Sequence, residues 1–164
     1  MIANAVWSNY FQVGKTALST GDSATAEAMF REALVVASTQ ALEPLHEANS
    51  AFGLALALLP QQGQRGEAQQ LLRKAIRLYS TVSNLDCAVF VSCVSSLADS
   101  YCQESFPERA LPLLKQAVKI VSQRAGLSAP HLVPLFKRMA LIYSEKRYYR
   151  KADLCFQRAV KNSA

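Results

Sequence analysis

An alanine, then an aromatic or leucine four positions on, then a second alanine after three more, occurs at Ala26, Phe30 and Ala33. The pattern returns at Ala68, Leu72 and Ala75, at Ala110, Leu114 and Ala117, and at Ala152, Phe156 and Ala159, with the same offset each time and no slippage. Such spacing puts the three members of a copy on one side of an α-helix. Leu34, Ile76, Val118 and Val160 extend this stripe. Further upstream, the same period aligns Tyr10 with Phe52, Val94 and Phe136, and Val13 with Ala55, Leu97 and Met139. It also aligns Gly14 with Leu56, Ala98 and Ala140, and Ala17 with Leu59, Tyr101 and Tyr143. Positions 10, 13, 14 and 17 form a second helical stripe, so every copy predicts two amphipathic helices. Small residues let such helices approach closely while a larger side chain fills the space beside them.

Turn signals fall between the stripes: Gly21-Asp22-Ser23, Pro60 to Gly63, and Ser105-Phe-Pro107 inside copies, Glu43-Pro44 and Gly126 to Pro130 between them. Asp22 or Ser23 suits a helix N-cap and Pro107 a first helical turn. Helices are expected near 3–20, 23–38, 43–59, 64–81, 85–103, 107–124, 129–145 and 148–162. In the third helix an alternative register puts Phe52-Gly53 in the slot of Ala55-Leu56. One hairpin cannot bury both of its apolar faces, so hairpins must stack. The expectation is all-α: a right-handed α-solenoid of four stacked helix-turn-helix hairpins in one domain, 1–164. Its units run roughly over 3–42, 43–84, 85–126 and 127–164.

Val13-Gly14 with Ala17, Leu97-Ala98 with Tyr101 and Met139-Ala140 with Tyr143, each followed by the Ala…Phe/Leu…Ala columns, resemble the tetratricopeptide repeat (TPR). The 42-residue unit is similar to the longer variety found in kinesin light chains and their bacterial relatives. The stretch from Gly126-Leu-Ser-Ala-Pro-His131 through Phe136-Lys-Arg-Met-Ala140 to Gln157-Arg158-Ala159-Val160 is the closest local match. Where that variety usually has paired asparagines, this chain has Phe11-Gln12, Gly53-Leu54, Ser95-Ser96 and Lys137-Arg138. The resemblance implies a non-catalytic scaffold or adaptor that binds a peptide or helix of another protein in a concave groove. It places the groove stripe at Ser8, Phe11, Lys15 and Leu18, then Ser50, Gly53 and Ala57. The stripe continues at Ser92, Ser95, Ser96 and Asp99, and at Lys137, Arg138 and Leu141.

Charge changes the picture of the partner. The net +6 divides into −4 over residues 1–108 and +10 over residues 109–164. Such asymmetry bears on association rather than fold, and it favours an acidic segment near Lys137 and Arg138. Nucleic-acid binding through the basic last third is the alternative, and against it no polar reading residue recurs from unit to unit. Self-association is a third reading, because only Asn162-Ser-Ala164 follow the last unit where arrays normally carry a polar capping helix.

Candidate chemistry is thin. His46 and His131 lack a second ligand at helical spacing, so no metal site is expected. Gly21-Asp-Ser-Ala24 stands where a cap is needed, and no catalytic or cofactor-binding set is expected. Cys87, Cys93, Cys102 and Cys155 form no CxxC pair and sit in apolar helical patterns, which reads as buried thiols of a reducing compartment. No apolar run has membrane-spanning length and no secretory leader is evident, so a soluble, cytoplasmic protein is expected. The column aromatics Tyr10, Phe30, Phe52, Tyr101, Phe136, Tyr143 and Phe156 are expected in the core. Trp7, Tyr148 and Tyr149 are expected to be half-buried surface.

Overall fold

The computed structural model describes residues 2–126 and 129–163. These hold eight helices and no strand: α1 (Ile2–Thr20), α2 (Ser23–Thr39), α3 (Pro44–Leu58), α4 (Arg65–Thr81), α5 (Cys87–Gln103), α6 (Pro107–Ala125), α7 (Leu132–Glu145) and α8 (Tyr149–Lys161). The periodicity thus located every helix. Boundaries follow side-chain chemistry. The Asp22 carboxylate caps α2 by accepting from the Thr25 N–H at 3.1 Å. Asp86 does the same for α5, accepting from Ala88 and Val89, while Pro44 and Pro107 open α3 and α6. Each satisfies or removes a backbone donor that a helix start leaves orphaned.

The chain divides into two compact units, Met1–Ser83 and Asn84–Ala164. In the N-terminal unit the hairpins α1–α2 and α3–α4 stack, with α2 against α3. In the C-terminal unit α5–α6 and α7–α8 stack through α6 and α7. The alanine columns sit in these seams: Ala26, Ala33, Ala68, Ala75, Ala110, Ala117, Ala152 and Ala159 are all buried.

A further column lies in the turns. Positive φ occurs at Gly21 (80°), Gly63 (83°), Ser105 (63°) and Arg147 (59°), again one repeat apart. In three of these turns the next residue's N–H closes back on the last helical turn: Asp22 to Ala17 O, Phe106 to Tyr101 O, and Tyr148 to Tyr143 O, at 2.8–2.9 Å. This is a glycine-type C-cap. Two repeats meet its left-handed requirement with glycine; two force Ser105 and Arg147 into it.

The second turn differs, and it displaces α3. Pro60 follows the C-cap residue Leu59 of α3, and a proline cannot continue a helix. The chain takes a longer turn from Leu59 to Gln64. Among the buried residues of α3, which also include Ala48, Ser50, Gly53 and Ala57, the stripe Ala51, Leu54, Ala55 and Leu58 is buried at every position, while Phe52, Leu56 and Leu59 are only half-buried. Both expected registers are therefore corrected: α3 sits one residue earlier than the strict period, and Ala55, not Leu56 or Gly53, takes the slot of Gly14.

The deepest wedge in the N-terminal unit is Phe30. Its ring approaches the backbone of two inner helices where neither carries a Cβ. A methyl added at Gly14 would meet the ring at 3.1 Å, and one at Gly53 would clash with it outright.

Two outcomes follow for stability. Gly53→Ala should cost about 1–3 kcal/mol through overpacking. Gly66→Ala, in open space on α4, should instead stabilise by up to about 1 kcal/mol. Urea unfolding of both variants checks the opposed signs. Arg147→Gly relieves the left-handed strain and should add about 0.5–1 kcal/mol. It would be read as a rise in melting midpoint of a few degrees by calorimetry, and an unchanged or lower midpoint contradicts it.

Candidate functional site

In the N-terminal unit, the stripe expected to line a groove is largely filled from within. Trp7 is only 8% exposed. It stacks on Phe11 at 4.8 Å and meets His46 edge-on at 4.3 Å, and Phe11 meets Phe30 at 5.7 Å. The Trp7 indole N–H donates to the Ser50 hydroxyl at 2.8 Å, and Ser50 donates on to the His46 carbonyl. The surface role expected for Trp7 is corrected: it anchors α1 to α3. Its position outside the alanine columns concealed this, because it packs along the inner helices rather than across a hairpin seam.

Gly53 and Ala57, expected on the open groove, are buried. The reason is the position of α3, which packs against α1, α2 and α4 at once. Phe30 covers Gly53. Phe11 is half-buried, and Lys15, exposed, holds its ammonium 5.9 Å from the Phe11 ring centre. The space that small residues promised is occupied by this chain's own aromatics.

The C-terminal unit is different. On α5, Ser92 is exposed, Ser96 and Asp99 are half-exposed, and Ser95 is buried. On α7, Lys137 is exposed, Arg138 is half-buried, and Leu141 is 57% exposed. Arg138 and Asp99 form an ion pair across α5 and α7. Burial draws the Arg138 pKa down, a desolvation effect, and the ion pair with Asp99 ties its charge to its own chain. A shallow cleft of about 140 Å³ lies here, lined by Ala98, Asp99, Cys102, Arg138, Leu141, Ile142 and Glu145. Of the expected groove residues, Asp99, Arg138 and Leu141 meet in it.

On the outer helices α2 and α4, charges are also paired. Arg31 contacts Glu27 at 2.9 Å and Glu67 at 2.8 Å. Gln61 donates to Glu27 at 2.9 Å. The Gln61 bond holds the Glu27 carboxyl below its usual range, and Glu67 raises the Arg31 pKa. The C-terminal unit carries a larger cleft of about 320 Å³ between α6, α7 and α8, which sequence reasoning did not single out. Phe136, Met139 and Tyr143 form its floor, and Lys115, Lys151 and Arg158 are among its walls.

Two other expectations need correction. Phe156 was assigned to the core by its column, yet it is 41% exposed. Phe30, in the same column, is covered by the next hairpin, and among the described residues no helix follows α8 to cover Phe156. Of the four thiols, Cys102 is exposed; Cys87, Cys93 and Cys155 are buried, and all are free. Burial pushes the Cys93 thiol far up, so it is a poor nucleophile. Among the described residues no group of three or more His, Cys, Asp or Glu could hold a metal ion. No helix there is long and apolar enough to cross a membrane.

Residues 5–81 match the family model of the tetratricopeptide repeat. The chain has a TPR fold. The structure of BtubC (BKLC) from P. vanneervenii superposes with a TM-score of 0.77 at 18% identity, over 96% of this chain. This chain spans only 62% of the length of that BtubC chain. The nearly identical TPR-like repeats assigned to a kinesin light chain of Podosopora anserina superpose with a TM-score of 0.72, also at 18% identity, covering 96% of this chain and 75% of that one. A variant of those repeats gives 0.73 at 18% identity, with 96% and 74% covered. No curated protein sequence matches the chain.

The Trp7–Ser50 bond yields a stability outcome. Ser50→Ala strands a buried indole N–H and should cost about 1–3 kcal/mol. Trp7 is the chain's single tryptophan, so fluorescence-detected urea unfolding measures this directly. A midpoint equal to wild type would mean that the indole finds another acceptor.

Proposed function

We propose that this TPR chain is a non-catalytic, cytoplasmic adaptor that binds a segment of another protein on the inner face of α5 and α7. One observation carries the reading. The inner stripe is open in the C-terminal unit, at Ser92, Ser96, Lys137 and Leu141, whereas in the N-terminal unit Trp7, Phe11 and Phe30 fill it. Ser92 and Ser96 leave room above α5, Leu141 offers an apolar contact, and Lys137 supplies a cation. With Arg138 neutralised by Asp99, the preference of this face for acidic segments rests on Lys137. An exposed pair of that kind contributes only about 0–1 kcal/mol, so charge orients the partner more than it holds it. TPR repeats generally mediate protein–protein interaction, and the similarity to kinesin-light-chain repeats supports binding over catalysis.

A photo-crosslinking side chain placed at Ser92 identifies the bound segment by mass spectrometry, and the segment is then titrated by calorimetry. Ser92→Trp should weaken binding at least about tenfold, or roughly 1.4 kcal/mol, with helicity unchanged. Lys137→Glu should change the salt dependence with a smaller loss. Wild-type affinity in both variants places the partner elsewhere.

A further inference from the structure

The repeat columns that tie the outer helices of the N-terminal unit together are filled differently in the C-terminal unit. Arg31 on α2 and Glu67 on α4 pair at 2.8 Å. The same two columns, two repeats later, hold Lys115 on α6 and Lys151 on α8. One unit bridges its outer helices with opposite charges; the other puts two ammonium groups on one cleft. Arg158 adds a third cation, and among the described residues no carboxylate lines the space. Lys151 lies over the rings of Tyr143 and Tyr148, and Arg158 over Phe136. Among the described residues no ion pair engages Lys115 or Lys151.

We propose that this cleft docks an acidic amphipathic helix of another protein, one of whose carboxylates sits between Lys115 and Lys151 and stands in for the carboxylate that Glu67 supplies in the earlier unit. Charge complementarity names the occupant, because the cleft repeats a cation–carboxylate bridge with the carboxylate removed. The floor sets its shape. Phe136, Met139 and Tyr143 follow one another along a single stripe of α7, spanning about 10 Å, or two helical turns. A groove of that length between two helical ridges accepts the apolar ridge of a third helix. Met139 can adapt to the incoming side chain, and Leu154, half-exposed on α8, closes over it. Lys151 and Arg158 lie over the Tyr143 and Phe136 rings, which disfavours base stacking there and favours protein over nucleic acid. The proposal does not depend on the α5–α7 face: Lys115, Lys151, Leu154 and Arg158 belong to α6 and α8.

The probe is a short synthetic helix with leucines along one face and glutamates on its flanks; a twin carries lysine in place of every glutamate. Binding is followed by methionine-methyl NMR, with Met139 as reporter and Met29 of α2 as reference. The glutamate peptide should shift Met139 and leave Met29 unmoved. The lysine twin should bind at least about tenfold more weakly. Lys151→Glu restores the earlier unit's pairing, so this variant should melt no lower than wild type and bind the glutamate peptide at least about tenfold more weakly. Leu154→Glu, on an exposed wall, should block binding without touching the core, and serves if Lys151→Glu folds poorly. Ser92→Trp should leave peptide binding unchanged, which separates this site from the inner face. Equal affinity for the twins, wild-type affinity in the Glu variants, an unmoved Met139, or displacement of the peptide by an equimolar oligoribonucleotide each overturns the proposal.

Discussion

The close seating of a large side chain against a bare helix backbone is the constraint on which this architecture rests. Phe30 can occupy the seam between α2 and α3 only because Gly14 and Gly53 offer no Cβ. The alanine columns apply the same rule less tightly, with a methyl where these positions have none. Once the helices are this close, the chain has little freedom left in its turns. A reversal in so few residues calls for a left-handed position, and the period delivers one at 21, 63, 105 and 147. Seam and turn are two consequences of one spacing, which is why both recur once in every repeat.

How much of this could be read beforehand depended on whether a feature obeyed the repeat. Helix number, helix bounds and the alanine seams were legible, because each is stated four times along the chain. The register of α3 was not, because Pro60 lengthens a single turn, and a lone insertion is invisible to a strict period. Trp7 was misjudged for a related reason. It belongs to no column, so nothing in the pattern weighed its indole N–H, whose need for a buried acceptor is met by Ser50. Phe156 shows the converse error. Its column was right, but a column states what a residue can pack against, and burial also requires that the neighbour be there.

Candidate groove residues were legible in direction and not in availability. Small residues along an inner helix signal space, yet they do not say who takes it. At Gly53 the taker is the Phe30 ring, and Ala57 is likewise buried within the chain. At Ser92 and Ser96 the aromatics of α5, Phe90 and Tyr101, are buried, and the serines reach solvent. Two stretches of small residues therefore differ in exposure, one covered by the chain's own side chains and the other open to solvent.

Charge obeys the same logic of columns with changing occupants. An ion pair within the chain contributes modestly to stability, but it also removes two charges from the set a partner can use. Arg138 illustrates this: it was a natural candidate to orient an acidic ligand, and its partial burial is tolerable because Asp99 compensates it. Desolvating an unpaired cation that far would cost several times more than such a pair returns. Lys115 and Lys151 stand at the opposite limit. They occupy columns that earlier held a bonded pair, they share one cleft, and neither is paired with a carboxylate among the described residues. Substituting lysine for the carboxylate gives up a stabilising bridge within the chain and opens a basic cleft in its place. A surface that forgoes an internal bridge while keeping an apolar floor gains most from a ligand that supplies both missing parts, an anionic flank and a hydrophobic ridge.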